Sequence, residues 1–231
     1  MTLDEQIEKA RRRRSRRLDL TYHPNPLDSK SDRWLFEHFR RGLVLWFLGH
    51  PLQDRLTEIP AALTQLTNLQ ELKLSFNALT TIPDTLAKLT SLKKLDLSNN
   101  PLTTVPEALA QLTNLQVLDL SGTRLTAIPE ALAQLTNLQV LDLSGTRLTA
   151  IPDALGQLTN LRFLYLSFNK LTAIPHALAR LTKLETLGLF ENPMPSEWQP
   201  AIKSHKEIEY LRSLAKTSEA VSPRATKKSS F

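Results

Sequence analysis

The strongest constraint on this chain is a leucine-containing pattern that returns every 23 residues. The pattern reads L-x-x-L-x-L-x-x-N/T-x-L-x-x-I/V-P-x-x-L-x-x-L-x-x, and over five consecutive copies keep register. A fixed period of this length is typical of solenoids, in which each repeat is one short structural unit. No single unit can bury its own leucines, so the units must stack and the two terminal units need caps. The copies begin at Leu69, Leu92, Leu115, Leu138, Leu161 and Leu184.

The pattern inside one copy predicts a short strand followed by a short helix. Leu95 and Leu97 alternate with polar residues, so a strand there buries one face and exposes the other. Pro106 has a preset φ and lacks an N–H, which suits the first turn of a helix. Leu109 and Leu112 then return to the core at i, i+3 spacing. Stacked strands would form a parallel sheet about 4.8 Å apart.

These motifs resemble those of leucine-rich repeat proteins, over at least residues 56–194. The Ile-Pro variant is similar to the bacterial, plant intracellular Ras-group and Roco-associated types. The resemblance implies an α/β solenoid of about eight repeat units, called rungs below. It also implies a curved parallel sheet on the concave face, short helices or turns on the convex face, and helical end caps.

Asparagines occupy the turn that follows the strand in four copies. A side-chain amide there can satisfy backbone groups that would otherwise be buried without a partner. The family resemblance implies that they form a structural ladder along the solenoid. Thr123 and Thr146 replace asparagine in two copies, which should loosen the ladder locally. The asparagines are Asn77, Asn100, Asn169 and Asn192.

Two neighbouring copies, 115–137 and 138–160, differ at only two positions. The near-identity indicates a duplication. Both copies therefore offer the same surface chemistry, which argues against a uniquely shaped active site there.

Upstream of the regular copies the pattern becomes irregular. Leu18, Leu45 and Leu72 lie 27 residues apart, and each starts an apolar-x-apolar triplet. We therefore interpret residues 15–68 as two irregular rungs, with a convex helix over 31–41. The alternative interpretation is an insertion between Tyr22 and Asp54 that splits one rung.

The two ends differ from the repeat in composition. Residues 1–14 are predicted to form an N-terminal capping helix, with a capping box from Thr2 to Glu5. Regular copies span 69–194. Residues 195–215 are predicted to form a C-terminal helical cap, and 216–231 a disordered tail because they are rich in Ser, Thr and Lys.

Composition and motif searches exclude several classes of chemistry. The 231 residues include no cysteine, which excludes disulfides, thiolate metal sites and cysteine nucleophiles. No glycine precedes a lysine, so there is no P-loop, and the five histidines lack metal-ligand spacing. We predict a non-enzymatic protein without metal or cofactor. The absence of an apolar segment at the N-terminus favours a cytoplasmic location.

The net charge of +6 belongs to the two ends of the chain. Residues 56–198 carry ten basic and twelve acidic side chains, so the repeats have no excess of positive charge that would attract phosphates. The run Arg11–Arg14 with Arg16 and Arg17 could bind nucleic acid or an anionic membrane. It is also typical of a solvated helix face, and no base-stacking aromatic accompanies it.

The outward positions of the predicted sheet form the candidate binding site. Stacked aspartates repel one another and would favour a basic partner, although Arg124 and Arg147 lie close enough in sequence to offset them. Exposed aromatics on one rung and its neighbour are the residue type that anchors interfaces. The candidate residues are Phe76, Asp96, Asp119, Asp142, Phe163, Tyr165, Phe168, Phe190, Arg124 and Arg147.

Three hypotheses for function follow. The first is a monomeric scaffold or adaptor that binds another protein on its concave face, around Tyr165 and Phe168. The resemblance implies a small GTPase or another signalling protein as partner. The second is a binder of nucleic acid or anionic membrane through the arginine run, which we rank below a protein partner. The third is a truncated relative of the Roco GTPases, because 208–214 is similar to the segment that joins repeats to GTPase in that group.

Overall fold

The computed structural model describes residues 2–22 and 55–221. Seven parallel strands of three residues each form one sheet, in which strand order follows chain order. This arrangement confirms the predicted leucine-rich repeat solenoid, with seven rungs in the described residues rather than about eight. The strands are β1 (Arg17–Asp19), β2 (Glu71–Lys73), β3 (Lys94–Asp96), β4 (Val117–Asp119), β5 (Val140–Asp142), β6 (Phe163–Tyr165) and β7 (Thr186–Gly188).

The register places equivalent residues of successive rungs side by side. Leu72 pairs with Leu95, and Leu95 in turn pairs with Leu118. The central residue of each strand points into the core, and its two neighbours face solvent. Because every regular step is 23 residues, each repeat position forms a straight column across the sheet.

Short 3₁₀ helices lie on the opposite side of the rungs from the sheet. A proline precedes each of the first six, and each contributes a buried leucine such as Leu86 or Leu109 to the core. The tighter 3₁₀ turn closes in five residues, which fits a 23-residue rung. These helices span Ala61–Gln65, Asp84–Lys88, Glu107–Gln111, Glu130–Gln134, Asp153–Gln157 and His176–Arg180.

Asn100 shows how the turn after each strand is held. Its Oδ1 accepts the Leu79 N–H at 3.1 Å, and its Nδ2 donates to the carbonyls of Leu74 and Leu97, both at 2.9 Å. Leu74 and Leu79 belong to the preceding rung, so one amide joins two rungs. Asn77, Asn169 and Asn192 make equivalent bonds to the rungs before them.

The two threonine rungs make fewer bonds at this position. The hydroxyl of Thr123 donates to Leu120 O at 2.7 Å, within its own rung. Thr146 donates to Leu143 O and also contacts Asn169 Oδ1. Neither accepts a backbone N–H from the rung before it, so the ladder is thinner in the middle of the described solenoid.

A second row of asparagines, not anticipated from the sequence, connects the 3₁₀ side. Asn114 Nδ2 donates to Thr90 O at 2.9 Å, and Asn137 and Asn160 repeat this bond to Thr113 and Thr136. Each bond spans one rung. The solenoid therefore has a side-chain hydrogen-bond row on both sides of the rung.

The first strand corrects our interpretation of residues 15–68. Leu18 of β1 pairs directly with Leu72 of β2, so a strand built on Leu45 has no place between them. The interpretation as two irregular rungs is therefore wrong. Leu56 N–H bonds Asn77 Oδ1 as Leu79 N–H bonds Asn100 Oδ1, so the chain resumes the same rung at Arg55. This geometry agrees with the alternative, an insertion that splits one rung.

The numbering agrees with this correction. Leu18 and Leu72 are 54 residues apart, which is 31 more than one repeat. The helix predicted over 31–41, with the predicted strand at Leu45, lies outside the described residues.

Helices cover both ends of the stack. Helix α1 (Leu3–Arg12) begins at a capping box of Thr2 and Glu5, as the sequence indicates, and buries Ile7 and Ala10. At the other end a 3₁₀ turn (Ser196–Trp198) leads into α2 (Gln199–Lys203) and α3 (Glu207–Val221). Because α3 continues to Val221, residues 216–221 are helical rather than part of a disordered tail.

Replacing Asn100 tests the ladder. Asn100→Ala leaves the Leu79 N–H and the Leu74 and Leu97 carbonyls buried without their partner. We expect it to lower the free energy of unfolding by about 2 to 4 kcal/mol, measured by urea denaturation. Asn100→Thr is the control, because it reproduces the residue used in two other rungs and should cost less. Equal losses would contradict a role for the amide.

Replacing residues 23–54 by one asparagine tests the split-rung interpretation. The product reads Leu18-Asp-Leu-Thr-Tyr22-Asn-Arg55-Leu56, which restores the repeat pattern. We expect an unchanged circular dichroism spectrum per strand and a free energy of unfolding that is higher by on the order of 1–3 kcal/mol, because a long loop no longer has to be closed. Loss of cooperative unfolding would refute the interpretation.

Candidate functional site

The strand face is the solvent-facing side of the sheet, and its middle column runs through one position of every strand. The register brings together the three predicted aspartates on β3, β4 and β5, followed by Tyr165 on β6. At the N-terminal end, Lys73 pairs with Asp19 at 3.7 Å. The middle column is Asp19, Lys73, Asp96, Asp119, Asp142, Tyr165 and Gly188.

Each aspartate of this column is fixed by the serine two residues later. Ser121 donates its N–H and its Oγ to Asp119 Oδ1, at 2.9 and 2.7 Å. Asp96 receives the same pair of bonds from Ser98, and Asp142 receives the Ser144 N–H at 2.8 Å. Within the described residues the Oδ2 atoms accept no hydrogen bond. The structure shows no ion pair from these carboxylates to Arg124 or Arg147 in that part of the chain.

Burial makes these carboxylates costly to ionise. Desolvation raises the pKa of Asp119 to about 6, and the charges of Asp96 and Asp142 add to this against the opposing Ser121 bonds. Desolvation also raises the pKa of Asp142. At neutral pH the strand face therefore carries negative charge that lowers folding stability.

The residue before the turn asparagine or threonine is left-handed in every regular rung, and we call these residues the edge column. Their φ angles lie between 54° and 65°, a region that costs a residue with a side chain about 1 kcal/mol or more. Glycine, which carries no such cost, occupies two of the six positions. The edge column is Phe76, Asn99, Gly122, Gly145, Phe168 and Glu191.

Three predicted aromatics are exposed, and two of them form a pair. The rings of Phe168 and Phe190 meet edge to face with centroids 5.7 Å apart. They remain 58% and 56% exposed, and Phe76 is 44% exposed. Phe168 and Phe76 thus place large apolar rings in solvent from a backbone conformation that disfavours them.

The other two predicted aromatics are more enclosed. Phe163 and Tyr165 stack with centroids 6.5 Å apart, and Arg162 lies over the Phe163 ring at 5.3 Å. Arg162 is held in turn by Glu185 at 2.7 Å. Burial, with the nearby charge of Asp142, raises the pKa of the Tyr165 hydroxyl. Phe163 and Tyr165 therefore form a supported floor beside the more exposed Phe168–Phe190 pair.

The arginine run lies at the N-terminal end of the stack, far in sequence from the aromatic pair. Glu8 contacts both Arg11 and Arg12, at 3.6 and 3.0 Å, and Arg17 contacts Glu71 at 3.1 Å. In the residues that the structure describes, no group of carboxylates and histidines could hold a metal ion. No helix of that part is long and apolar enough to cross a membrane.

Two family models match the chain, and together they cover most of it. A model described as a leucine-rich repeat region matches residues 107–229, and a leucine rich repeat model matches 53–102. The chain belongs to the leucine-rich repeat family. Domains of this family generally mediate protein–protein interaction and are typically not enzymes. No curated protein matches the chain.

Solved structures of the family extend the comparison. A leucine-rich repeat protein of Leptospira interrogans is 36% identical, with a TM-score of 0.60, over 63% of this chain and 37% of its own. An internalin of Listeria monocytogenes is 27% identical, with a TM-score of 0.56, over 64% of this chain and 43% of its own. The Arabidopsis receptor kinase HAESA, in complex with the peptide hormone IDA and the co-receptor SERK1, is 34% identical with a TM-score of 0.55. That match covers 59% of this chain and 24% of HAESA, so this chain spans less than half the length of each of these proteins.

Replacing Asp119 tests the cost of the buried carboxylate. Its pKa of about 6 in the folded protein lies above the ordinary 3.8, so folding stability falls as pH rises between these values. We expect Asp119→Asn to match the wild type near pH 4 and to be about 2 kcal/mol more stable at pH 7, because an amide has no charge to desolvate. Urea denaturation across this range measures the difference.

Glu130→Asp is the control for that experiment, because it repeats a difference already found between the two near-identical rungs. It should leave the pH dependence unchanged. A stability difference for Asp119→Asn that does not vary with pH would contradict the assigned burial.

Proposed function

We propose that this chain is a non-enzymatic binding module whose strand face receives another protein at the Phe168–Phe190 end. The observation that carries the proposal is the exposure of phenylalanine in the edge column. At equivalent positions the near-identical rungs have Gly122 and Gly145, which satisfy the left-handed backbone without strain. Phe168 therefore costs folding energy and receives little burial in return.

A bound partner would supply the missing burial. Large rings at the centre of an interface are frequent hot spots, and covering most of two phenylalanines contributes several kcal/mol. Strain and exposure that folding does not explain are typical of functional surfaces. The neighbouring Phe163–Tyr165 stack extends the apolar surface along β6.

The comparisons support a peptide or protein as the partner. HAESA is seen with a peptide hormone, and the ectodomain of the Arabidopsis receptor kinase GASSHO1/SCHENGEN3 with CASPARIAN STRIP INTEGRITY FACTOR 2. The latter is 37% identical over 59% of this chain and 17% of its own, with a TM-score of 0.56. The narrower proposal of a cytoplasmic scaffold for a small GTPase or another signalling protein rests on sequence resemblance.

The double variant Phe168→Gly/Phe190→Ser tests the proposal. Glycine is the edge-column residue of two sister rungs, and serine occupies the Phe190 position in the five preceding rungs from Ser75 to Ser167. The variant should fold at least as stably as the wild type, because the left-handed strain is removed. We expect it to lose the partner in a nuclease-treated pull-down from source-cell lysate, read by mass spectrometry.

The matched control is Gln111→Ala/Gln134→Ala, which changes two exposed side chains on the 3₁₀ side. It should retain the partner. Equal recovery of the same proteins by the wild type and by Phe168→Gly/Phe190→Ser would refute binding at this end of the strand face. Attention would then move to the arginine run of α1.

A further inference from the structure

The two glycines of the edge column leave a depression next to the Phe168–Phe190 pair. Gly122 and Gly145 are both exposed, and a Cβ built on Gly145 would meet only the Gly122 backbone, at 3.7 and 3.8 Å. With strands about 4.8 Å apart, the two residues expose a strip of bare backbone roughly 10 Å long. We call this strip the glycine floor.

Side chains close both ends of the glycine floor. Phe168 stands at one end, one rung beyond Gly145. At the other end the Asn99 side chain lies against the floor, because a Cβ on Gly122 would be 2.5 Å from Asn99 Oδ1. The floor is therefore a bounded recess with an aromatic end and an amide end.

Carboxylates border the floor on its strand side. Asp119 and Asp142 precede the two glycines by three residues, and their serine bonds draw each Oδ1 along the strand toward the floor. Within the described residues their Oδ2 atoms have no hydrogen-bond partner, and no cation is within ion-pair distance. Arg124 and Arg147 follow the glycines by two residues, on the opposite border.

We propose that the partner segment which occupies this recess is an extended peptide, with a lysine or arginine facing Asp119 and Asp142 and a large apolar side chain against Phe168 and Phe190. The proposal rests on the proposed function and adds the chemistry of the partner. Charge complementarity selects a basic residue on the strand side, because the desolvated carboxylates there lack a cation of their own. The exposed aromatic pair selects the apolar residue.

The dimensions of the face set the spacing of these two residues. From Asp142 to Phe168 the path covers one strand spacing and three residues along the strand, which together give roughly 11 Å. An extended peptide rises about 3.3 Å per residue, so the basic and apolar residues should lie two to four positions apart.

A phage-displayed library of random 12-residue peptides, selected on the wild-type protein, provides the test. Enriched peptides are synthesised with a fluorescent label, and their affinities are measured by fluorescence anisotropy. We expect the enriched sequences to carry Lys or Arg two to four residues from Phe, Leu, Ile or Trp. Phe168→Gly/Phe190→Ser should abolish their binding, and Gln111→Ala/Gln134→Ala should leave it unchanged.

Two further variants isolate the recess. Asp119→Asn/Asp142→Asn should weaken binding by about tenfold or more, through loss of desolvated charge pairs. Gly145→Phe should weaken it comparably by filling the floor. Phenylalanine already occupies this left-handed position at residues 76 and 168, and circular dichroism checks that the variant folds.

The outcomes separate the two proposals. If peptides depend on Phe168 and Phe190 but carry no basic residue, or ignore both the Asp119/Asp142 pair and Gly145→Phe, the basic peptide in the recess is wrong and the binding face stands. If no enriched peptide depends on Phe168 and Phe190, both proposals fail. Because Asp119→Asn/Asp142→Asn removes a destabilising charge, a loss of binding in it cannot be attributed to unfolding.

Discussion

The structure depends on satisfying the backbone where each rung leaves the sheet. Within three residues of the strand end the chain must reverse direction while its carbonyls point into a leucine core. A buried carbonyl without a donor costs more than a single hydrogen bond contributes, so each rung needs a side chain that carries donors to that point. Asn100 does this for two rungs at once, through one amide with two donors and one acceptor.

The same turn fixes the residue before the asparagine in the left-handed region. That constraint makes the edge column informative about function, because a large side chain there has a cost that glycine avoids. The chain accepts this cost at Phe76 and Phe168, and it accepts a second one where Asp119 is ionised in a desolvated column. Both departures lie on the strand face, whereas the 3₁₀ side follows the repeat closely. Stability is thus reduced on the side that we assign to a partner.

The leucine period was sufficient to predict the fold, since each strand and each buried column depends on positions that the pattern specifies directly. The first rung shows its limit. Fifty-four residues divide evenly into two intervals of 27, and the triplet at Leu45 has the alternation of a strand, so only the pairing of Leu18 with Leu72 separates an inserted segment from an extra rung. The edge column could have been found from Asn99, Gly122 and Gly145 in register, because these are the residues that tolerate positive φ. Phe76 and Phe168 concealed it.

The candidate site was less accessible from the sequence. Its outward residues follow from strand alternation, and the register brings them together as expected. The burial of Asp119 depends on neighbours 23 residues away in both directions, and the different exposures of Tyr165 and Phe168 depend on what lies over each ring. Such properties arise between rungs, and a pattern within one rung does not contain them.

The near-identity of residues 115–137 and 138–160 has a consequence for how this surface can change over evolutionary time. Loss of one copy, or gain of another, by unequal recombination would leave every leucine and both caps in place. It would alter the reach between Phe76 and Phe168 by one strand spacing of about 4.8 Å, and would remove or add one glycine. The length of ligand that the protein accommodates could therefore change in whole steps, without a single point mutation in either aromatic end.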